Sequence, residues 1–116
     1  MQLQSILSVA LLSLGSLSTA SAYVVTLWQN PDCTGDSRTD NVWDNTCSTP
    51  APGFSAVTPV TYGGSGQQAQ FYDTNNCAGS YPLGKGTYGA DGSDSDFQIG
   101  KCIGFLRVAN AAGSWA

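Results

Sequence analysis

The aspartates are the side chains of this sequence best suited to chemistry. All eight acidic residues are Asp, and the 116-residue chain contains no His. Asp91, Asp94 and Asp96 place three carboxylates within the stretch DGSDSD, and carboxylate oxygens are the ligands that calcium prefers. The stretch lacks the glycine position and the final Glu of an EF-hand loop, so its alternative is a solvated Asp-rich loop. We predict at most a weak calcium site here and no other cofactor.

Side-chain catalysis has little support in this composition. Nucleophilic attack of the Ser-His or Cys-His kind needs an imidazole base, and no His is present. Lys85 and Lys101 are formal alternatives as bases, but nothing in the sequence places either beside a reactive Ser. Two Asp could hydrolyse a glycosidic bond only if they flanked a sugar cleft, which a small β domain rarely forms. We therefore expect no enzyme and keep a polysaccharide-acting enzyme as the third hypothesis.

Four cysteines provide the other reactive groups. An even number of cysteines in a short secreted chain indicates two disulfides. Zinc is the alternative ligand, but the sequence has neither a Cys-x-x-Cys pair nor a His. The predicted disulfide cysteines are Cys33, Cys47, Cys77 and Cys102.

The first 22 residues have the features of a secretory signal peptide. Residues 6–17 form a short apolar run, and the Ala-Ser-Ala at 20–22 offers a small-x-small cleavage pattern, although the opening MQLQ carries no Lys or Arg. A membrane anchor would need about 18 or more apolar residues. We predict cleavage after Ala22 and a secreted, extracellular domain at 23–116.

Charge excludes two classes of partner. The formal net charge is −4, and the four basic residues are scattered singly along the chain. No basic stripe can neutralise phosphates, so neither nucleic acid nor an anionic membrane is an expected partner. We expect a monomer.

The elements that must position these residues are short β-strands. Fourteen Gly and five Pro punctuate the chain, and no stretch shows helical apolar spacing. Pro59 is expected at a strand end or sheet edge because it cannot donate to a ladder, and the Gly-rich segment 61–68 is expected to join two halves that share one core. The predicted strands are 23–28, 54–60, 68–73 and 102–110.

One phrase occurs twice. WQNPDCTG at 28–35 and YDTNNCAG at 72–79 each read aromatic, four residues, Cys, one residue, Gly. A Gly at this place would let the ring lie flat on backbone that has doubled back. The pattern resembles the Greek-key motif of the βγ-crystallin superfamily, in which an aromatic residue and a Gly seven residues later mark the first hairpin. The matching residues are Trp28 with Gly35 and Tyr72 with Gly79.

This resemblance implies one all-β, disulfide-stapled sandwich of two Greek-key motifs, at 23–60 and 68–110. The family carries a Ser at the start of the last strand of each motif, where Ser55 and Gly104 fall here. Two cysteines per half are similar to its small secreted killer-toxin-like and antifungal members. Three disulfide connectivities remain open, and we favour one disulfide within each half, Cys33 with Cys47 and Cys77 with Cys102. The alternative is an unrelated small β sandwich.

Aromatic residues among turn formers are the candidate ligand contacts, because exposed rings stack on the apolar faces of sugars. We select Trp43, Tyr81 and Tyr88, with Tyr62 and Trp115 as further options, and assign Trp28, Phe71, Phe97 and Phe105 to the core. The first functional hypothesis is a toxin-like or effector-like secreted protein that binds a cell-wall glycan or a protein of another organism. The second is a structural or calcium-stabilised extracellular protein.

Overall fold

A computed structural model describes residues 21–78 and 82–115, and every regular element in them is a β-strand, as the sequence predicts. Those residues include no helix long and apolar enough to cross a membrane. Gly79 and Tyr81, both selected from the sequence, lie outside the described residues. The strands are β1 (Ala22–Trp28), β2 (Ser37–Trp43), β3 (Thr46–Ser48), β4 (Phe54–Thr61), β5 (Gln68–Tyr72), β6 (Pro82–Gly89), β7 (Ile103–Ala109) and β8 (Ala111–Ser114).

The strands form two four-stranded antiparallel sheets that exchange one strand. The first sheet has the order β2-β1-β4-β7 and the second has the order β3-β8-β5-β6. Each sheet therefore takes three strands from one half of the chain and the third strand of the other half. This exchange makes the two halves inseparable, because each sheet is complete only with a strand from the other half of the chain.

The four predicted strands are confirmed. They could be predicted because their apolar residues alternate with other residues or run continuously. In β1, Tyr23, Val25 and Leu27 are buried, while the residues between them are half-buried on the outer face. The sequence did not predict β2, β3, β6 or β8. β2 reads SRTDNVW and buries only Val42, since it is an edge strand with mostly exposed side chains. Such strands lack the apolar alternation from which a strand is predicted.

A single hydrophobic core fills the space between the sheets. It contains residues of both halves, so segment 61–68 connects two parts of the chain that share this core. Phe71, Phe97 and Phe105 are buried as predicted, but Trp28 is half-buried on the outer face of β1, so its assignment to the core was wrong. The strand period of two explains the error, because a residue that follows the inward Leu27 must point outward.

Pro59 lies inside β4 and not at a strand end. The last pair between β4 and β7 joins Val57 to Ile103, so Pro59 has no β7 residue to which it must donate a hydrogen bond. Its carbonyl accepts a hydrogen bond from the Gly100 N–H at 3.0 Å. The proline is therefore tolerated where β4 has lost one of its two neighbours.

Strand β1 begins at Ala22, one residue before the predicted start of the mature domain at Tyr23. The Asp44 N–H donates to the Ser21 carbonyl at 2.9 Å, and the Ser21 hydroxyl donates to Gln67 Oε1 at 3.2 Å. Ala22 pairs with Trp43 in the β1–β2 ladder. Cleavage after Ala22 would remove these contacts, and the cleavage site stays a prediction.

One strand lies beyond residue 110, where the predicted second motif ends. This strand is β8, the last of the second half, whereas residues 103–109 form the third strand of that half and join the first sheet. Gly104 therefore does not begin a last strand. A Cβ on Gly104 would collide with the Pro31 carbonyl, so this position needs glycine for a close approach of two backbones.

Candidate functional site

The two disulfides connect the halves, contrary to the pairing that we favoured from the sequence. Cys33 is bonded to Cys102 and Cys47 to Cys77, and all four cysteines are thereby paired. The exchange of third strands is the physical reason. Cys47 lies in β3, which joins the second sheet, and Cys102 immediately precedes β7, which joins the first. Each disulfide fastens an exchanged strand to the hairpin of the other half.

This arrangement shows a repetition that sequence spacing conceals. Cys33 and Cys77 both follow the first strand of their half, and both adopt a left-handed backbone, with φ of 62° and 51°. Cys47 and Cys102 both lie at the third strand of their half. They do not match in sequence because the connection at 90–102 is longer than its counterpart at 44–45.

The first copy of the repeated phrase ties its hairpin to the last strand of the same half. Trp28 Nε1 donates to Thr58 Oγ1 in β4 at 3.0 Å, and that hydroxyl lies 3.4 Å from Cys33 Sγ. Gly35 has a φ of +87°, and a Cβ there would meet the side chains of Gln29 and Asn30. The atoms nearest to such a Cβ belong to side chains of the turn, and the packing of the Trp28 ring on the hairpin backbone stays a prediction.

The second copy repeats the pattern with different residues. The Trp115 side chain, directly after β8, forms a hydrogen bond with the Tyr72 hydroxyl. A Cβ on Gly113 would lie 3.0 Å from Trp115 Nε1, 3.3 Å from Cys77 Sγ and 3.3 Å from the Tyr72 ring. In both halves, therefore, the aromatic residue of the phrase lies near the hairpin disulfide. Trp28 is hydrogen-bonded to the fourth strand of its half, and Tyr72 lies beside the fourth strand of its own half.

The candidate ligand-binding surface lies where the chain passes from the first sheet to the second. We call it the tryptophan end and define it as Trp43, Asp44, Asn45 and Trp115. The Asn45 N–H donates to the Ser114 carbonyl at 2.6 Å, which places the end of β2 beside the end of β8. The Trp43 and Trp115 side chains are 47% and 38% exposed. Two exposed indoles with neighbouring amide and carboxylate groups can stack on a sugar and bond its hydroxyls.

Tyr88 does not belong to this surface. It is 5% exposed, its ring centroid lies 5.8 Å from that of Phe97, and the Lys85 ammonium lies 5.2 Å from the ring centre. Tyr88 therefore is not an exposed platform for a sugar, because the core covers most of the ring. The sequence alone does not show whether Tyr88 faces inward or outward, because that depends on the register of β6.

The carboxylates of the Asp-rich loop are not grouped as a calcium site would need in the described residues. Asp94 accepts hydrogen bonds from Lys85 Nζ at 2.8 Å and the Gly89 N–H at 2.9 Å, and Asp96 accepts one from Lys85 at 3.1 Å. Asp91 accepts from the Gly66 and Ser93 N–H groups. Within residues 21–78 and 82–115, no group of three Asp, Glu, Cys or His could hold a metal ion. Backbone donors and lysine occupy the carboxylates that calcium would need.

These contacts have an electrostatic consequence. Hydrogen bonds from Ser93 and from the Gly66 and Ser93 N–H groups lower the pKa of Asp91 to about 2. Hydrogen bonds from Lys85, Asp96 N–H and Gly89 N–H lower the pKa of Asp94 to about 2. By contrast, burial raises the pKa of Asp40 even though Ser48 donates to its carboxylate at 2.7 Å. The carboxylates of Asp91 and Asp94 are therefore held in their ionised form.

We expect the Asp-rich loop to make the free energy of unfolding decrease as the pH falls. An Asp in the unfolded chain has a pKa of about 3.9, so the stabilisation from Asp91 and Asp94 is present above about pH 4 and is lost as pH falls toward 2. Urea unfolding between pH 6 and 2 should show less acid destabilisation for Asp94→Asn than for wild type. Asp40→Asn is the contrasting variant, because a raised pKa stabilises the fold at low pH and loses that effect as pH rises. Equal acid profiles for wild type and Asp94→Asn would contradict the prediction.

A cavity of about 210 Å³ lies on the side of the sandwich where β6 and β7 approach each other. Segment 90–102 supplies part of its wall. Its lining residues are Lys85, Tyr88, Asp96, Lys101, Cys102 and Ile103. Of the residues selected from the sequence, Tyr88 and Asp96 border it. The lysines were missed because single Lys residues in a Gly-rich sequence give no motif.

No family model, curated protein sequence or solved structure matches this chain. The function has to be inferred from the chain's own residues and geometry. Two features carry that inference, namely the exposed indoles and the covalently fastened scaffold that presents them.

Proposed function

We propose that this protein is a small secreted, non-enzymatic binding protein that recognises a cell-wall glycan of another organism, in the manner of a toxin-like or effector-like protein. The observation that carries the proposal is the tryptophan end, where two partly exposed indoles flank a polar turn. Indoles that serve only folding are normally more deeply buried. Exposing them without a partner costs free energy of hydration, which a ligand would recover.

The scaffold suits recognition by a preformed surface. Both disulfides join the halves, and the carbonyl of Trp43 accepts a hydrogen bond from Thr46 Oγ1 at 2.6 Å across the turn. Gln70 and Trp115 exchange two hydrogen bonds, from Gln70 Nε2 to the Trp115 carbonyl and from the Trp115 N–H to Gln70 Oε1. A surface fixed in this way loses little conformational entropy on binding.

We also propose that the domain is a pair of Greek-key motifs of the βγ-crystallin kind. Support comes from the exchanged third strands and from the aromatic residue that lies near the hairpin disulfide in each half. Secretion is part of the same proposal. The two disulfides are compatible with an extracellular protein, since such bonds persist in oxidising compartments.

Binding to insoluble polysaccharide tests the proposed function. Purified protein should co-sediment with at least one of chitin, β-1,3-glucan, mannan or cellulose, and Trp43→Ala should weaken that binding about tenfold, because one ring stack contributes on the order of 1 kcal/mol. Leu106→Ala is the matched control, since Leu106 is a fully exposed apolar residue on β7, outside the tryptophan end. Equal loss in both variants, or no binding of wild type to any of the four polymers, would count against the proposal.

A further inference from the structure

The two halves differ most in the connection that leads to their third strand. In the first half the residues Asp44 and Asn45 join β2 to β3, whereas in the second half residues 90–102 join β6 to β7. The first half shows that two residues suffice to build this connection. The longer segment instead walls the cavity of about 210 Å³ beside β6 and β7. The departure from internal repetition therefore coincides with a concave surface, which indicates a role beyond folding.

The lining of this cavity combines polar and apolar groups. Lys85 Nζ lies 3.1 Å from Asp96 Oδ2, and Lys101 Nζ lies 3.6 Å from Asp96 Oδ1, so two ammonium groups share one carboxylate. Ile103 and the edge of Tyr88 supply the apolar part. Cys102 is bonded to Cys33, which fixes the wall between Lys101 and Ile103 in place.

The charges around the cavity balance. Lys85 and Lys101 contribute two positive charges, and Asp94 and Asp96, both bonded to Lys85, contribute two negative charges. An anionic or cationic ligand would thus gain no net attraction. Hydrogen-bonding capacity remains, because each ammonium group has three N–H donors and each carboxylate oxygen has two acceptor sites. Lys85 directs two donors to Asp94 and Asp96, which leaves one for a ligand.

The geometry points to a second binding site, a subsite for one neutral sugar ring, in this cavity. A sugar ring carries hydroxyl groups that both donate and accept hydrogen bonds, and C–H faces that pack on apolar side chains. The cavity offers donors at Lys85 and Lys101, acceptors at Asp96 and an apolar wall at Ile103. Its volume is below the roughly 300–1,000 Å³ typical of pockets for drug-sized ligands, which suits a single ring. This inference rests on the proposed glycan recognition and adds a site separate from the tryptophan end.

Amide chemical shifts measured by NMR on the folded, oxidised protein test the subsite directly. The probes are glucose, mannose, galactose and N-acetylglucosamine, each titrated to tens of millimolar. We expect at least one sugar to give saturable shifts at Asp96 and at residues 101–103. Asp96→Asn and Lys101→Gln should each weaken that sugar at least tenfold while keeping the wild-type melting temperature. Arg107→Gln is the matched control, because Arg107 forms a surface ion pair with Asp73 and does not line the cavity.

The outcomes separate this inference from the proposed function. Saturable shifts at the cavity that the two variants abolish would establish the subsite. Shifts confined to the tryptophan end, or unchanged affinity in both variants, would overturn the subsite and leave polysaccharide recognition standing. Failure of all four sugars to give a saturable shift would overturn the subsite, and the co-sedimentation experiment with Trp43→Ala would still decide the proposed function independently.

Discussion

Replacing Cys33 and Cys102 with Ser is expected to lower the free energy of unfolding by about 4 kcal/mol. The disulfide closes a loop with a sequence separation of 69, and the entropy that a cross-link removes from the unfolded chain grows with loop length. The same bond holds β7 against the hairpin of the first half. Urea unfolding of the oxidised wild type and the double variant at neutral pH measures the difference.

The second disulfide is the matched control for this prediction. Cys47 and Cys77 are separated by 30 residues, so their replacement should cost about 0.7 kcal/mol less than replacement of Cys33 and Cys102. Peptide mapping without reduction should yield a Cys33–Cys102 peptide and a Cys47–Cys77 peptide. Recovery of a Cys33–Cys47 peptide would contradict the exchange of third strands on which the prediction depends.

Phe71→Ala is expected to destabilise the domain by about 3–5 kcal/mol, which is a large fraction of the stability of a domain this small. The side chain is fully buried, and its ring contacts those of Tyr23, Phe54, Tyr88 and Phe105, with centroid distances of 5.3–6.4 Å. Removing the ring leaves a cavity between the two sheets. Thermal unfolding followed by near-ultraviolet circular dichroism measures the loss.

Leu106→Ala controls for the removal of apolar surface alone. The Leu106 side chain is fully exposed. It lies in the irregular part of β7 between Gly104 and Ala109, the two residues that pair with Ala56 and Phe54 of β4. This variant should change stability by less than about 0.5 kcal/mol. A comparable loss in both variants would mean that Phe71 is not the centre of the core.

The internal repetition explains why the disulfides are hard to place from the sequence. Symmetry in the order of strands is complete, since each half contributes a hairpin cysteine and a third-strand cysteine. The sequence spacing between the two cysteines of a half differs, because segment 90–102 lengthens the second half. Pairing by nearness along the chain favours the wrong partners, because it ignores that a third strand can join the sheet of the other half.

Some residues of the candidate sites could be predicted from the sequence, and others could not. Trp43 could be selected from the sequence because an aromatic residue among turn formers is often exposed, and it is exposed here. Tyr88 met the same criterion and is buried, since its burial depends on the register of β6 against β5. The sequence did not indicate that Lys101 and the other lining residues share a cavity, because the lining comes from two strands of different sheets and from the segment between them.

The sequence by itself determined the all-β class, the positions of four strands, the even number of paired cysteines and the three core phenylalanines. Local composition specifies these features, because turn residues, β-branched runs and apolar alternation act over a few neighbouring residues. Only the tertiary structure decided the strand exchange, the disulfide partners, the outward position of Trp28 and the hydrogen-bond partners of the carboxylates in the Asp-rich loop. Each depends on which distant segments meet, and that is fixed by packing two sheets over one core.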